Sequence, residues 1–133
     1  MTEGYLIGTD WAVGLLRGRP HAVVESVERL PQDRLFLPLV ALGELYVGAY
    51  KSADLERALR GIAAFVTRVQ LVALDEAICR RFGALTAELQ RRGEEIGDID
   101  TLIAATALER GMTLLSNNRG HFERIPHLAL ISV

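Results

Sequence analysis

Short apolar runs alternate along this chain with longer stretches of helical period. Tyr5-Leu6-Ile7 is a short apolar run that predicts a buried strand, and Gly8-Thr9-Asp10 follows it as a turn. Trp11 to Leu16 predicts a first helix ending near Arg17-Gly18. Pro20 opens a second helix whose apolar stripe is Val23, Val24, Val27 and Leu30, and Pro31 stops it. Leu35-Phe36-Leu37 reads as a second buried strand, and Pro38 introduces a helix from about Val40 to Ala49. Ala53 to Arg68 is amphipathic, with Leu55, Leu59, Ile62, Ala63 and Val66 as its inner face. Val69 to Leu74 is a third strand, and Asp75 caps a long helix running to Arg92 and closed by Gly93. Met112 to Leu115 and Leu128 to Ile131 supply a fourth and a fifth strand. Strands separated by helices predict an α/β sandwich around a mostly parallel sheet, and their nearly unbroken apolarity fits a sheet covered on both faces. Residues 1–133 read as a single domain with one substantial core.

The stretch from Glu95 to Arg110 stands apart. Asp98 is placed to cap a helix, Asp100 lies in its first turn, and Gly111 can close its far end. From Ile99 to Leu108 the residues are apolar on nearly every side, which predicts a buried helix with Asp100 as its single charge. The same isolation recurs twice. Asp10 is the only charge between Glu3 and Arg17, and Glu44 is the only one between Arg34 and Lys51. An unpaired carboxylate in an apolar element costs several kcal/mol. Glu44 has Val40, Ala41, Val47 and Gly48 as helical neighbours, with no cation at helical spacing. A hard divalent ion, Mg²⁺ or Mn²⁺, would satisfy such a set of acids. Each acid also has a plain alternative. Asp10 could bond its own turn, Glu44 could reach solvent or a distant Arg, and Asp98 could serve only as a cap. In parallel sheets, sites form beyond the carboxyl ends of strands, and Asp10 and Asn118 each follow a predicted strand end.

Composition narrows the classes. Half the residues are apolar and the net charge is −2, so there is no global basic signature for nucleic acid, although a local basic rim remains open. Arg17, Arg19, Arg80, Arg81, Arg91, Arg92, Arg119 and Arg124 could hold phosphates, against a default of solvated faces. The lone Cys79 allows no internal disulfide and fits a reducing cytoplasm. No signal peptide and no membrane-spanning apolar run is evident, so a cytoplasmic protein with no membrane segment is expected. His21, His121 and His127 lack zinc-type spacing, and phosphate-cradling glycine loops and a Gly-x-Ser-x-Gly elbow are absent. Tyr46, Tyr50, Trp11 and Phe82 read as core or dimer contacts. A phosphoacceptor domain needs an acid pair at strand one and a Lys near the last strand, and this chain has neither.

The ordered set of motifs resembles the PIN-domain ribonuclease toxins of the VapC type, over essentially the whole length. It comprises Tyr5 to Asp10 leading into Leu15-Leu16-Arg17-Gly18, Leu42 to Gly48, the Gly97-Asp98-Ile99-Asp100-Thr101-Leu102-Ile103-Ala104-Ala105-Thr106 stretch, and Thr113 to Ile125. The resemblance implies a three-layer α/β fold, a homodimer, and Mg²⁺-dependent (or Mn²⁺-dependent) cleavage of RNA restrained by a cognate antitoxin. Glu44 and Asp100 fall on the family's second and third acidic positions, Thr9 and Ser116 on hydroxyl positions, and Asn118 on the fourth acidic position. The family's first Asp position is Gly8 here, which leaves the site one carboxylate short; Asp10 and Asp98 are the acids that could partly compensate. Two readings follow: a metal-dependent endoribonuclease impaired at Gly8, and an inactive PIN-fold module that binds its antitoxin.

Overall fold

The computed structural model describes residues 4–133. Its elements in order are β1 (Tyr5–Ile7), α1 (Thr9–Arg17), α2 (His21–Glu28), a 3-10 turn (Gln32–Arg34), β2 (Leu35–Pro38), α3 (Leu39–Tyr50), α4 (Leu55–Val66), β3 (Gln70–Val72), α5 (Glu76–Arg91), α6 (Asp98–Arg110), β4 (Thr113–Leu115), α7 (Arg119–Phe122) and β5 (Leu130–Ile131). The strands form one sheet in the order β3-β2-β1-β4-β5, and every pairing is parallel rather than mostly so. Steps from β1 to β2 and from β2 to β3 run one way across the sheet, and the step from β3 to β4 runs back. Right-handed crossovers therefore put α1 to α4 on one face and α5 and α6 on the other, which makes three layers.

The core sits between those layers. Leu6, Ile7, Leu37, Leu114 and Leu115 are fully buried on the strands, beneath Trp11 of α1 and Ile103 of α6. Each such side chain contributes about 1.5–3 kcal/mol through area removed from water. Ala104, Ala105 and Ala107 are buried on α6, and their small side chains suit a helix packed at once against α5, α3 and β4. The α3–α6 contact joins the two helical layers, and it carries Glu44 and Asp100 toward one another.

Several sequence expectations shift. The Gly8-Thr9-Asp10 turn collapses to Gly8 alone, because Gly8 serves as N-cap and its carbonyl already accepts from Ala12 N (3.0 Å), so Thr9 and Asp10 open α1. Asp98 is not the N-cap of α6. That place belongs to Gly97, whose φ of 90° suits a residue without Cβ, and whose carbonyl accepts from Thr101 N (3.1 Å) and Thr101 Oγ1 (2.6 Å). On α4, Ile62 is buried and Leu59 and Val66 pack against the core as expected, while Leu55 and Ala63 are exposed and Phe65 is buried instead. β3 is an edge strand of Gln70–Val72, shorter than the expected Val69 to Leu74; Leu71 is exposed on that edge and Leu74 lies beyond the strand. The stretch after Asn118 forms a short helix, α7.

Asp75 behaves as its sequence position predicts: its Oδ1 accepts from Ile78 N (2.8 Å) at the start of α5, and its Oδ2 pairs with Arg110 at the end of α6. Asp75→Ala removes that cap and should cost about 1 kcal/mol. Chemical denaturation should show a lower midpoint at an unchanged slope; an unmoved midpoint would contradict the role of the cap.

Candidate active site

The strand order reverses between β1 and β4, and the crevice outside the carboxyl ends of these two strands is where open α/β sheets place their ligands. Parallel pairing aligns Ile7 with Leu115, so the chain leaves both strands at one level. Gly8 N donates to Leu115 O (2.9 Å), which extends that pairing one residue beyond β1. Thr9 and Asp10 then emerge on the first turn of α1, and Ser116, Asn117 and Asn118 emerge after β4. Glu44 arrives from the middle of α3 and Asp100 from the first turn of α6, where the helix dipole favours a carboxylate.

These residues line a pocket of about 260 Å³, comprising Thr9, Asp10, Glu44, Asp100, Ile103, Ser116, Asn118 and Phe122. All six positions singled out from sequence as catalytic are brought together. Asp98 is not: it is exposed and lies outside this lining. One participant was missed. His121 Nδ1 lies 2.7 Å from Asp100 Oδ2 and 2.9 Å from Asn118 Nδ2, and with its proton on Nδ1 it donates to the carboxylate. The available signal was the Asn118-x-x-His121 spacing, which puts both side chains on one side of a helical turn; without α7 in view it carried no weight.

Each acid in the pocket has its own donors. Glu44 Oε1 accepts from the Thr9 hydroxyl. Asp10 Oδ1 accepts from Ser116 Oγ (2.9 Å) and Oδ2 from Asn117 N (2.8 Å), so this side chain straps α1 to the segment after β4. Asp100 Oδ2 accepts from Asn118 Nδ2 (3.1 Å) beside the His121 contact. Ser116, fully buried, also accepts from Asn118 N (3.0 Å). Asn117 in turn accepts from the buried Trp11 indole N–H (3.1 Å).

The lining is a hard-donor set of carboxylate, hydroxyl and amide oxygens, which matches Mg²⁺ or Mn²⁺ in type. In number it falls short. Among the described residues, no three His, Cys, Asp or Glu side chains converge on one point fit for an ion. Gly8 accounts for part of this. A Cβ placed there would stand 2.9 Å from Leu115 O, 3.2 Å from Asp10 Oδ1 and 3.3 Å from Ser116 Cβ. The volume that a side chain at residue 8 would enter is thus closed by β4 and flanked by the Asp10 carboxylate.

Residues 5–128 match the family model described as PIN domain. The chain is 33% identical over 125 residues to Ribonuclease VapC1 of Haemophilus influenzae, covering 93% of each. It is 34% identical over 121 residues to the tRNA(fMet)-specific endonuclease VapC of Shigella flexneri, covering 91% of each. Among solved structures, VapBC2 from Rickettsia felis bound to a promoter DNA fragment is similar with a TM-score of 0.90 and 29% identity, over 97% of this chain and 98% of that one. VapBC-1 from nontypeable Haemophilus influenzae is similar with a TM-score of 0.86 and 32% identity, over 96% of each chain.

Ser116 holds two partners from a fully buried position. Ser116→Ala should cost roughly 1–3 kcal/mol, because the Asn118 N–H loses its acceptor and Asp10 loses a donor. Equilibrium unfolding measures this directly, and wild-type stability in the variant would remove Ser116 as the organiser of the segment.

Proposed function

The chain belongs to the PIN-domain family, in its VapC branch, and from that premise we propose that it is a divalent-metal-dependent endoribonuclease held in check by a cognate antitoxin. The observation that carries the reading is one pocket at the β1/β4 switch point gathering Asp10, Glu44 and Asp100 from three distant segments. Asp100 and Glu44 are the side chains that would hold the ion, Mg²⁺ or Mn²⁺. When bound, such an ion activates water for in-line attack on a phosphodiester and neutralises charge on the scissile phosphate.

The chain's own groups set the stage for that chemistry. Thr9 fixes the rotamer of Glu44 by donating to Oε1, and Asn118 with His121 fixes Asp100. Asp10, strapped to Ser116 and Asn117, keeps the two walls of the pocket in register. Its Oδ1 is the carboxylate oxygen nearest the place of the missing side chain, and it supplies part of the lost negative charge.

For partners, an apolar groove of about 480 Å³ runs between α1, α3 and α4, lined by Val13, Leu16, Leu45, Ala58 and Ile62 among others, and it reaches Glu44. An antitoxin segment seated there would cover the pocket entrance. The exposed stripe of α3, with Leu39, Tyr46, Val47 and Tyr50, suits a second copy in a homodimer. No described helix is long and apolar enough to cross a membrane.

Gly8 favours a second reading, an inactive PIN module that retains antitoxin binding. Titration calorimetry separates the two: binding at millimolar Mg²⁺ or Mn²⁺ supports the enzyme, and no heat supports the inactive module. Gly8→Asp should strengthen metal binding and metal-dependent RNA cleavage while lowering stability by about 1–3 kcal/mol, since its Cβ must push the Leu115 carbonyl aside. Equal cleavage by both proteins would contradict a role for that position. Asp100→Ala should abolish cleavage of total RNA with the fold retained, and wild-type rates would exclude Asp100 from the site.

A further inference from the structure

A second concavity of about 360 Å³ shares the Asp10 wall with the acid pocket, and it is lined by Asp10, Val13, Gly14, Arg17, Arg19 and Pro20. Its shape follows from the turn between α1 and α2. Gly18 closes α1 at φ 70°, and the chain folds back so that Arg19 N donates to Gly14 O (3.0 Å). Gly14 permits this approach, because a Cβ there would lie 3.0 Å from Arg19 O. Arg17, the last residue of α1, and Arg19 are thereby held on one concave surface with Asp10, which is also a wall of the acid pocket.

Both guanidinium groups are exposed, and among the described residues neither has a hydrogen-bond or ion-pair partner. Arg29, Arg81, Arg91, Arg92, Arg110 and Arg119 each face a carboxylate, so their charge is already spent locally. A pocket with three carboxylates repels a polyanion, and uncompensated cations within a Debye length of about 8–10 Å are the elementary remedy. Val13 and Pro20 give the same concavity an apolar floor that suits a sugar or base face.

We infer that Arg17 and Arg19 hold the RNA phosphate adjoining the scissile one, so that the strand enters the acid pocket across the α1–α2 turn. This rests on the ribonuclease reading above. The contact is to backbone phosphate and carries no base preference of its own. Arg17 also lines the apolar groove assigned to the antitoxin, so RNA and antitoxin meet at one side chain.

The test is fluorescence anisotropy of a labelled single-stranded RNA across a KCl series, in EDTA so that cleavage does not intervene. Each phosphate contact on a single strand contributes about 0.7 to the slope of log K against log salt. Arg17→Ala combined with Arg19→Ala should lower the magnitude of that slope by about 0.7, for the one phosphate they share, and the Lys pair at the same positions should restore it. Arg80→Ala, on a separate concavity with Glu76 and Glu109, should leave it unchanged. An unmoved slope in the Ala pair, or an equal fall in Arg80→Ala, overturns the inference while the ribonuclease reading stands. Failure of the wild-type protein to bind RNA overturns the inference, and the cleavage of total RNA with Mn²⁺ then judges the ribonuclease reading separately.

Discussion

The close parallel seam between β1 and β4 is the constraint from which the site descends. The Gly8 N–H bonded to the Leu115 carbonyl carries the seam one residue past the strand, and Asp10 then crosses it to Ser116 and Asn117. These bonds decide where α1 begins, how the segment after β4 departs, and therefore which walls the pocket has. Gly8 is the residue on which the spacing turns. A side chain there would have to displace a backbone carbonyl, and backbone in a fully buried seam yields far less readily than the tip of a flexible side chain.

Placing three carboxylates around one small pocket is expensive unless each finds donors, because like charges repel and the half-buried Glu44 and Asp100 lose part of their water. The described structure answers with neutral donors: a hydroxyl for Glu44, a hydroxyl and an amide N–H for Asp10, an amide and an imidazole for Asp100.

Much of this was legible before any coordinates. Runs such as Leu35-Phe36-Leu37 are apolar on both faces, and only a doubly covered sheet gives them a home, so strands and layers followed from pattern. The isolated acids Asp10, Glu44 and Asp100 announced themselves by the absence of nearby cations, and all three line the pocket. Other features were hidden for physical reasons. The partner that holds Glu44 is Thr9, 35 residues away, and helical spacing says nothing about such contacts. His121 was passed over because a four-residue helix leaves no periodic signature. Asp98 looked like a cap because Asp commonly is one, while a glycine at φ 90° had already taken that place. Leu55 and Leu71 were read inward by their hydrophobicity, yet a helix end and an edge strand leave apolar side chains in water.

The sheet order has a consequence for biosynthesis. The earliest of the five described strands, β1, lies at the centre, and its second neighbour, β4, leaves the ribosome more than a hundred residues later. Until Thr113–Leu115 arrives, one edge of β1 stands open, and neither Ser116 nor Asn118 exists to complete the pocket. Closure of so long a loop is entropically slow. A growing polypeptide of this topology therefore has no complete pocket until Ser116 and Asn118 have been made, and whatever chemistry the pocket performs waits for them.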